Sequence, residues 1–185
     1  LGFEVRPLRE GGLTGITPAA RDQDGPAWAG AVSLAREVIR ELRPAVLVLP
    51  HPRDGHPTHA GTACLAMEAL AAAGHPCHVV ETEFWHPLEA PNLMVESADG
   101  DVADLVAALS LHRGEVARNP YHVLLPSWMS DNVRRGSERV GAAGAAAAPF
   151  TFATLYRFGR WEKGTLTPAG KTLLPAATPA SSLLV

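Results

Sequence analysis

From Trp28 to Leu42 the apolar residues Trp28, Ala31, Val32, Ala35, Val38, Ile39 and Leu42 recur at spacings of three and four, with Arg36, Glu37, Arg40 and Glu41 on the other face. That is the period of a helix that buries one stripe. Pro26 suits its first turn and Pro44 stops it. The unbroken β-prone run Ala45-Val46-Leu47-Val48-Leu49 follows and predicts a parallel strand buried on both faces. After a polar stretch, the Ala- and Leu-rich segment from Ala60 to Ala73 predicts a second helix closed by Gly74. Further along, Cys77 to Phe84 and Asn92 to Glu96 predict strands. Val102 to Val116 and Trp128 to Val140 predict helices separated at Asn119-Pro120, and the alternating aromatic run from Phe150 to Phe158 predicts a late strand. At the amino end, Phe3 to Leu8 predicts a short strand and Glu10-Gly11-Gly12-Leu13 a turn. Beyond Gly164 the Thr, Pro, Ala and Leu residues keep no period, which predicts a loosely docked tail.

A helix feeding a buried strand, repeated along the chain, is the pattern of an α/β fold with a mostly parallel sheet. The 185 residues, 46% hydrophobic and 19% charged, suit one globular domain and exclude a disordered polyampholyte or a coiled coil. The formal charge of −3 is spread along the chain with no run of Lys or Arg, which argues against nucleic acid as a partner. No long uninterrupted apolar window and no signal-peptide pattern is present, so no membrane partner is expected and the cytoplasm is the expected location. The two cysteines, Cys64 and Cys77, lack metal-binding spacing and read as buried thiols.

The chemistry concentrates in one place: His51, Asp54, His56 and His59 lie within nine residues, between a strand's carboxyl end and a helix's amino end. In open α/β sheets ligands bind there. Pro57 fits the first helical position, which puts His56 at the N-cap and His59 in the first turn, on one face of the helix. Such a pair suits a metal ligand beside a proton-transferring group, because neutral imidazole is a common zinc donor and a helix amino end disfavours imidazolium. The bland reading is a turn whose histidines are satisfied by hydrogen bonds. A second reading is a non-catalytic α/β module that recognises a carbohydrate or an anion at the helix amino end. His75-Pro76-Cys77-His78 repeats the H-P-x-H pattern but leads into a strand, where its two histidines would point to opposite faces.

The segment Leu49-Pro50-His51-Pro52-Arg53-Asp54-Gly55-His56-Pro57-Thr58-His59-Ala60 resembles the second signature of the LmbE-like, or PIG-L, N-acetylglucosaminyl deacetylases, zinc-dependent amidohydrolases on a Rossmann-like sheet. Leu8-Arg9-Glu10-Gly11-Gly12-Leu13, the Glu81 to Asn92 segment with Trp85-His86-Pro87-Leu88, Leu109-x-x-His112 and the Asn132 to Glu138 stretch fall in the order of that family's other segments. The resemblance spans residues 1–160, leaving 161–185 as a tail, and implies a Rossmann-like three-layer sandwich. It implies His59 as a ligand of zinc or another divalent metal. His56 would stabilise the oxyanion and serve as the acid for the leaving amine, with Asp54 orienting an imidazole beside it. His51, Trp85, His86 and Arg134 would contact the substrate, a small N-acetylated sugar or glycoconjugate. Oligomeric state is left open, a homo-oligomer included.

Two departures accompany the resemblance. Thr58 replaces the family's usual Asp, and nothing matches the family's first signature, A-H-P-D-D-E, which supplies the other metal ligands and a general base. The expectation is that the first β-α unit is missing from this chain, and that the chain is inactive without that motif. A Ser or Cys hydrolase is not expected, since no G-x-S-x-G elbow occurs.

Overall fold

The computed structural model describes residues 4–144 and 146–184. The chain is mixed α/β, and its described residues group into two compact units: Leu1–Leu88 with Gly159–Thr167, and Glu89–Phe158 with Pro168–Val185. The residues after 160 are therefore shared between both units rather than set apart.

In the first unit, α1 (Pro18–Gln23) and α2 (Gly25–Leu42) begin at side-chain caps. Thr17 accepts the Ala20 N–H at 3.1 Å and Asp24 accepts the Ala27 N–H at 3.1 Å. Residue Arg43, at φ 44, ends α2 just ahead of Pro44. Strand β1 (Val46–Pro50) and strand β2 (Cys77–Thr82) pair in parallel, Val46 opposite His78 and Leu49 opposite Glu81. The crossover between them is α3 (Pro57–Ala73), closed by Gly74 at φ 64. Their core joins Ile39, Leu49, Ala63, Leu70, Cys77 and Val79 to Trp161. Trp161 belongs to β4 (Phe152–Glu162), whose last residues turn at Lys163-Gly164, both at positive φ, into β5 (Thr165–Pro168). Positive φ at both central residues matches the twist of a two-residue hairpin. At Gly61 a Cβ would stand 2.3 Å from the Ile16 carbonyl oxygen, so only glycine lets α3 meet the 16–17 backbone so closely.

Two expectations fail in this unit. β1 is not buried on both faces, because the core reaches only its Leu47 and Leu49 side while Val48 is 61% exposed. Residues 4–7 form no strand. With Val5 88% exposed, they find no partner strand, and Arg6 is instead held by a forked ion pair to Glu41 on α2. Residue Phe3 lies outside the described residues. The turn after this segment does form, with the Gly12 N–H donating to the Arg9 oxygen at 3.0 Å and Gly11 and Gly12 at φ 74 and 73.

In the second unit β3 (Leu93–Ser97) pairs antiparallel with Phe152–Tyr156 of β4 and parallel with β6 (Thr172–Leu174). Helices α4 (Asp99–Ser110), α5 (Arg113–Arg118) and α6 (Tyr121–Gly136) follow β3, and α6 runs into one π-helical turn, Ser137–Gly141. Met94, Val133, Val140, Ala153 and Leu155 form the core. The single helix expected over Val102 to Val116 is broken at Leu111-His112, and α6 starts seven residues ahead of Trp128, with Pro126 inside it. The segment after Gly164 is not a loose tail throughout. β5 and β6 lie in it, and Leu174 is buried through its pairing with β3.

Candidate functional site

Beyond Pro50 the chain leaves the sheet and enters α3 through a tight loop. The His51 N–H donates to the Thr82 oxygen at 3.1 Å, and the Asp54 N–H returns to the His51 oxygen at 3.2 Å. Gly55 then takes φ 88, which lets the backbone reverse, and His56 in extended conformation becomes the N-cap of α3. Pro57 fills the first turn as the sequence predicts. The His56 side chain makes no cap hydrogen bond. Its imidazole is therefore not committed to the cap and stands beside a helix amino end, whose free N–H groups suit a bound anion.

Asp54 is the fixed point of the site. Its side chain is fully buried; Oδ1 lies 2.8 Å from His59 Nδ1 and Oδ2 accepts the Trp85 N–H at 3.1 Å. With the carboxylate as acceptor the proton sits on His59 Nδ1, and in the neutral ring Nε2 is then the nitrogen with the lone pair. The His59 side chain is 32% exposed, in contrast to the buried Asp54. A carboxylate that fixes the tautomer of a histidine in this way is the usual support behind a metal-ligating imidazole. The ring of His56 lies 4.9 Å from that of His59, centroid to centroid, on the same side of α3.

A second loop, 83–88, covers the first. Its ends are tied by the Leu88 N–H donating to Glu83 Oε2 at 2.6 Å. His51 holds the two loops together: Nδ1 accepts the Arg53 N–H at 3.3 Å, so Nε2 is the protonated nitrogen and donates to the His86 oxygen at 2.9 Å. The His86 ring sits over Gly55, where a Cβ would stand 2.5 Å from it. Trp85 stacks at 6.3 Å and 20° on His56, Phe84 meets His59 edge-on at 5.7 Å, and the two aromatic rings are 70% and 46% exposed for Phe84 and Trp85.

The structure thus brings together His51, Asp54, His56, His59, Trp85 and His86. Buried His51 has both nitrogens engaged by backbone, so it pins the loops and offers no polar atom to a substrate. Arg134 belongs to the second unit. There it lies exposed on α6 between Asp131 at 2.8 Å and Glu138 at 3.5 Å, an ion-paired helix face. Sequence reasoning missed Phe84, whose only signal was its place beside Trp85. Thr58 accepts from Thr62 Oγ1 through its backbone oxygen and contributes no carboxylate. Burial pushes the Cys77 thiol above its ordinary range, away from metal-binding thiolate. Among the described residues no group of three His, Cys, Asp or Glu side chains is placed to hold a metal ion. No described helix is long and apolar enough to cross a membrane. No family model, curated protein or solved structure matches the chain.

Proposed function

We propose that this chain carries part of the active site of a zinc-dependent N-deacetylase, built on a Rossmann-like three-layer α/β scaffold and acting in the cytoplasm on the acetamide of a sugar or glycoconjugate. The observation that carries the reading is the buried Asp54 carboxylate 2.8 Å from His59 Nδ1, with His56 beside it. His59 Nε2 is the donor this chain offers to a metal. One imidazole is fewer than the three protein ligands a catalytic zinc takes, so the described residues do not complete such a centre. What they do by themselves is proton and charge chemistry. Water adds to the amide carbon and gives its proton to a base that the described residues do not supply; His56, uncommitted at the helix N-cap, offsets the negative charge on the amide oxygen and protonates the amine as the C–N bond breaks. Asp54 fixes His59, and Trp85 with Phe84 presents aromatic faces against which a sugar ring stacks. The test is acetate release from N-acetylglucosamine conjugates with added zinc and with a chelator. Any release is expected to need zinc and to fall by at least about a hundredfold in His56→Ala, since acid catalysis contributes that much. Zinc that does not bind the chain, or release at an unchanged rate in both His56→Ala and His59→Ala, would overturn it.

A non-catalytic carbohydrate-binding module is the second reading, favoured by the exposure of Phe84 and Trp85 next to a histidine pair that lacks a third ligand. Zinc that binds the folded state raises the melting temperature by mass action. A rise abolished by His59→Ala supports the enzyme, and a flat response supports the module.

A further inference from the structure

We infer that the site selects an N-acetylated sugar carrying a flat, uncharged apolar group, and that Phe84 and Trp85 form the subsite for that group. The inference rests on the deacetylase reading for the sugar amide and adds what lies beyond it. Four ring centroids close a circuit: His56 to His59 at 4.9 Å, His59 to Phe84 at 5.7 Å, Phe84 to Trp85 at 5.4 Å and Trp85 back to His56 at 6.3 Å. The imidazole pair and the aromatic pair are therefore neighbours all the way round, and a ligand whose amide meets the histidines brings its next group against Phe84 and Trp85. Those two rings stand at 82° to each other. Such a corner touches a flat group on two sides, by stacking on one ring and by edge contact with the other.

Exposure, charge and rigidity each narrow the ligand class. Phe84 is 70% and Trp85 46% exposed, so both leave apolar area in water that a bound apolar group would cover. From Phe84 to Leu88 the loop has no acidic or basic side chain besides His86. The Glu83 carboxylate just before it accepts the Leu88 N–H at 2.6 Å, and the fully buried Asp54 is bound to His59 and to the Trp85 N–H. A phosphate or carboxylate on the ligand thus gains no Lys or Arg from these five residues. The loop is also fixed ahead of binding. Asp54 holds it at the Trp85 N–H at 3.1 Å, and His51 Nε2 holds it at the His86 oxygen at 2.9 Å. Rings already held in place lose little freedom when a ligand arrives, so more of the contact appears as affinity.

The experiment is calorimetric titration of the whole chain, with a chelator present, using the phenyl glycoside, the methyl glycoside and the anomeric phosphate of N-acetylglucosamine. Binding is read without metal or turnover. Acetate release can therefore fail while the preference stands, and the preference can fail while release stands. The phenyl glycoside is expected to saturate the chain and to bind at least about threefold tighter than either of the other two, the order of one aromatic contact. In Phe84→Ala the phenyl and methyl affinities should come together, with a melting temperature close to the parent's because the ring is largely exposed. Trp85→Ala, which keeps the backbone N–H on Asp54, should do the same. No saturation by the phenyl glycoside overturns the inference. So does binding of the methyl glycoside or the phosphate as tightly as the phenyl compound, or a phenyl preference that survives in either variant.

Discussion

His56-Pro57-Thr58-His59 and His75-Pro76-Cys77-His78 share a four-residue pattern in the same unit, at opposite ends of α3. In the first, Pro57 opens the helix, both imidazoles lie on one side 4.9 Å apart, and a buried carboxylate orients His59. In the second, the chain has passed Gly74 and enters β2. There His75 Nε2 donates to the Pro44 oxygen at 3.0 Å, and His78 is half-buried on the strand with its N–H on the Ala45 oxygen. Residues three apart on a strand face opposite ways. The difference teaches that the spacing carries no chemistry by itself. The helix start makes the first pair a site, and the strand entry makes the second a tie between β2 and the 44–45 segment.

The largest effect expected from breaking this contrast is at Asp54. Asp54→Ala leaves the His59 Nδ1–H and the Trp85 N–H without their buried acceptor and should lower stability by about 3 kcal/mol in urea unfolding. Next comes Gly55→Ala, which places a Cβ against the His86 ring at a φ that favours glycine; about 2 kcal/mol is expected, read as a lower melting temperature. A crossed pair sharpens the comparison further. His75→Ala should cost about 1 kcal/mol through its lost hydrogen bond and leave zinc affinity unchanged, whereas exposed His56→Ala should change stability by less than about 0.5 kcal/mol and remove acetate release. Equal behaviour of the two variants would erase the distinction.

The smallest effect concerns pH. Burial, then the positive charge of Arg160, hold the His78 pKa below its ordinary value of 6.5. The unfolded chain therefore takes up the proton first as pH falls. This contribution is fully present above the unfolded pKa, is lost as pH drops below 6.5, and is gone below the folded pKa. In His78→Asn the acid-side slope of stability should be shallower than in the parent, as measured by unfolding at a series of pH values.

What could be read from sequence follows the range of the forces involved. The stripe from Trp28 to Leu42, its proline boundaries and the His56 N-cap are set within a few residues, and they stand as expected. α1 has only six residues and no apolar period to announce it. β5 and β6 exist because β4 and β3 offer them partners, a pairing that the residues after Gly164 do not encode locally. Likewise, the density of histidines marked the site, but the contact of Asp54 with Trp85 spans 31 positions, and the commitment of His51 to the His86 carbonyl spans 35. Those long-range bonds decide which histidine is structural and which is open to a ligand.

The central claim is that Asp54 holds His59 with its outward nitrogen bare. Long-range nitrogen NMR of the histidine rings, at a pH above the histidine range, reads this directly. The account predicts a proton on His59 Nδ1 and a lone pair on Nε2 whose resonance shifts when zinc is added. A proton on Nε2, unmoved by zinc, would contradict it.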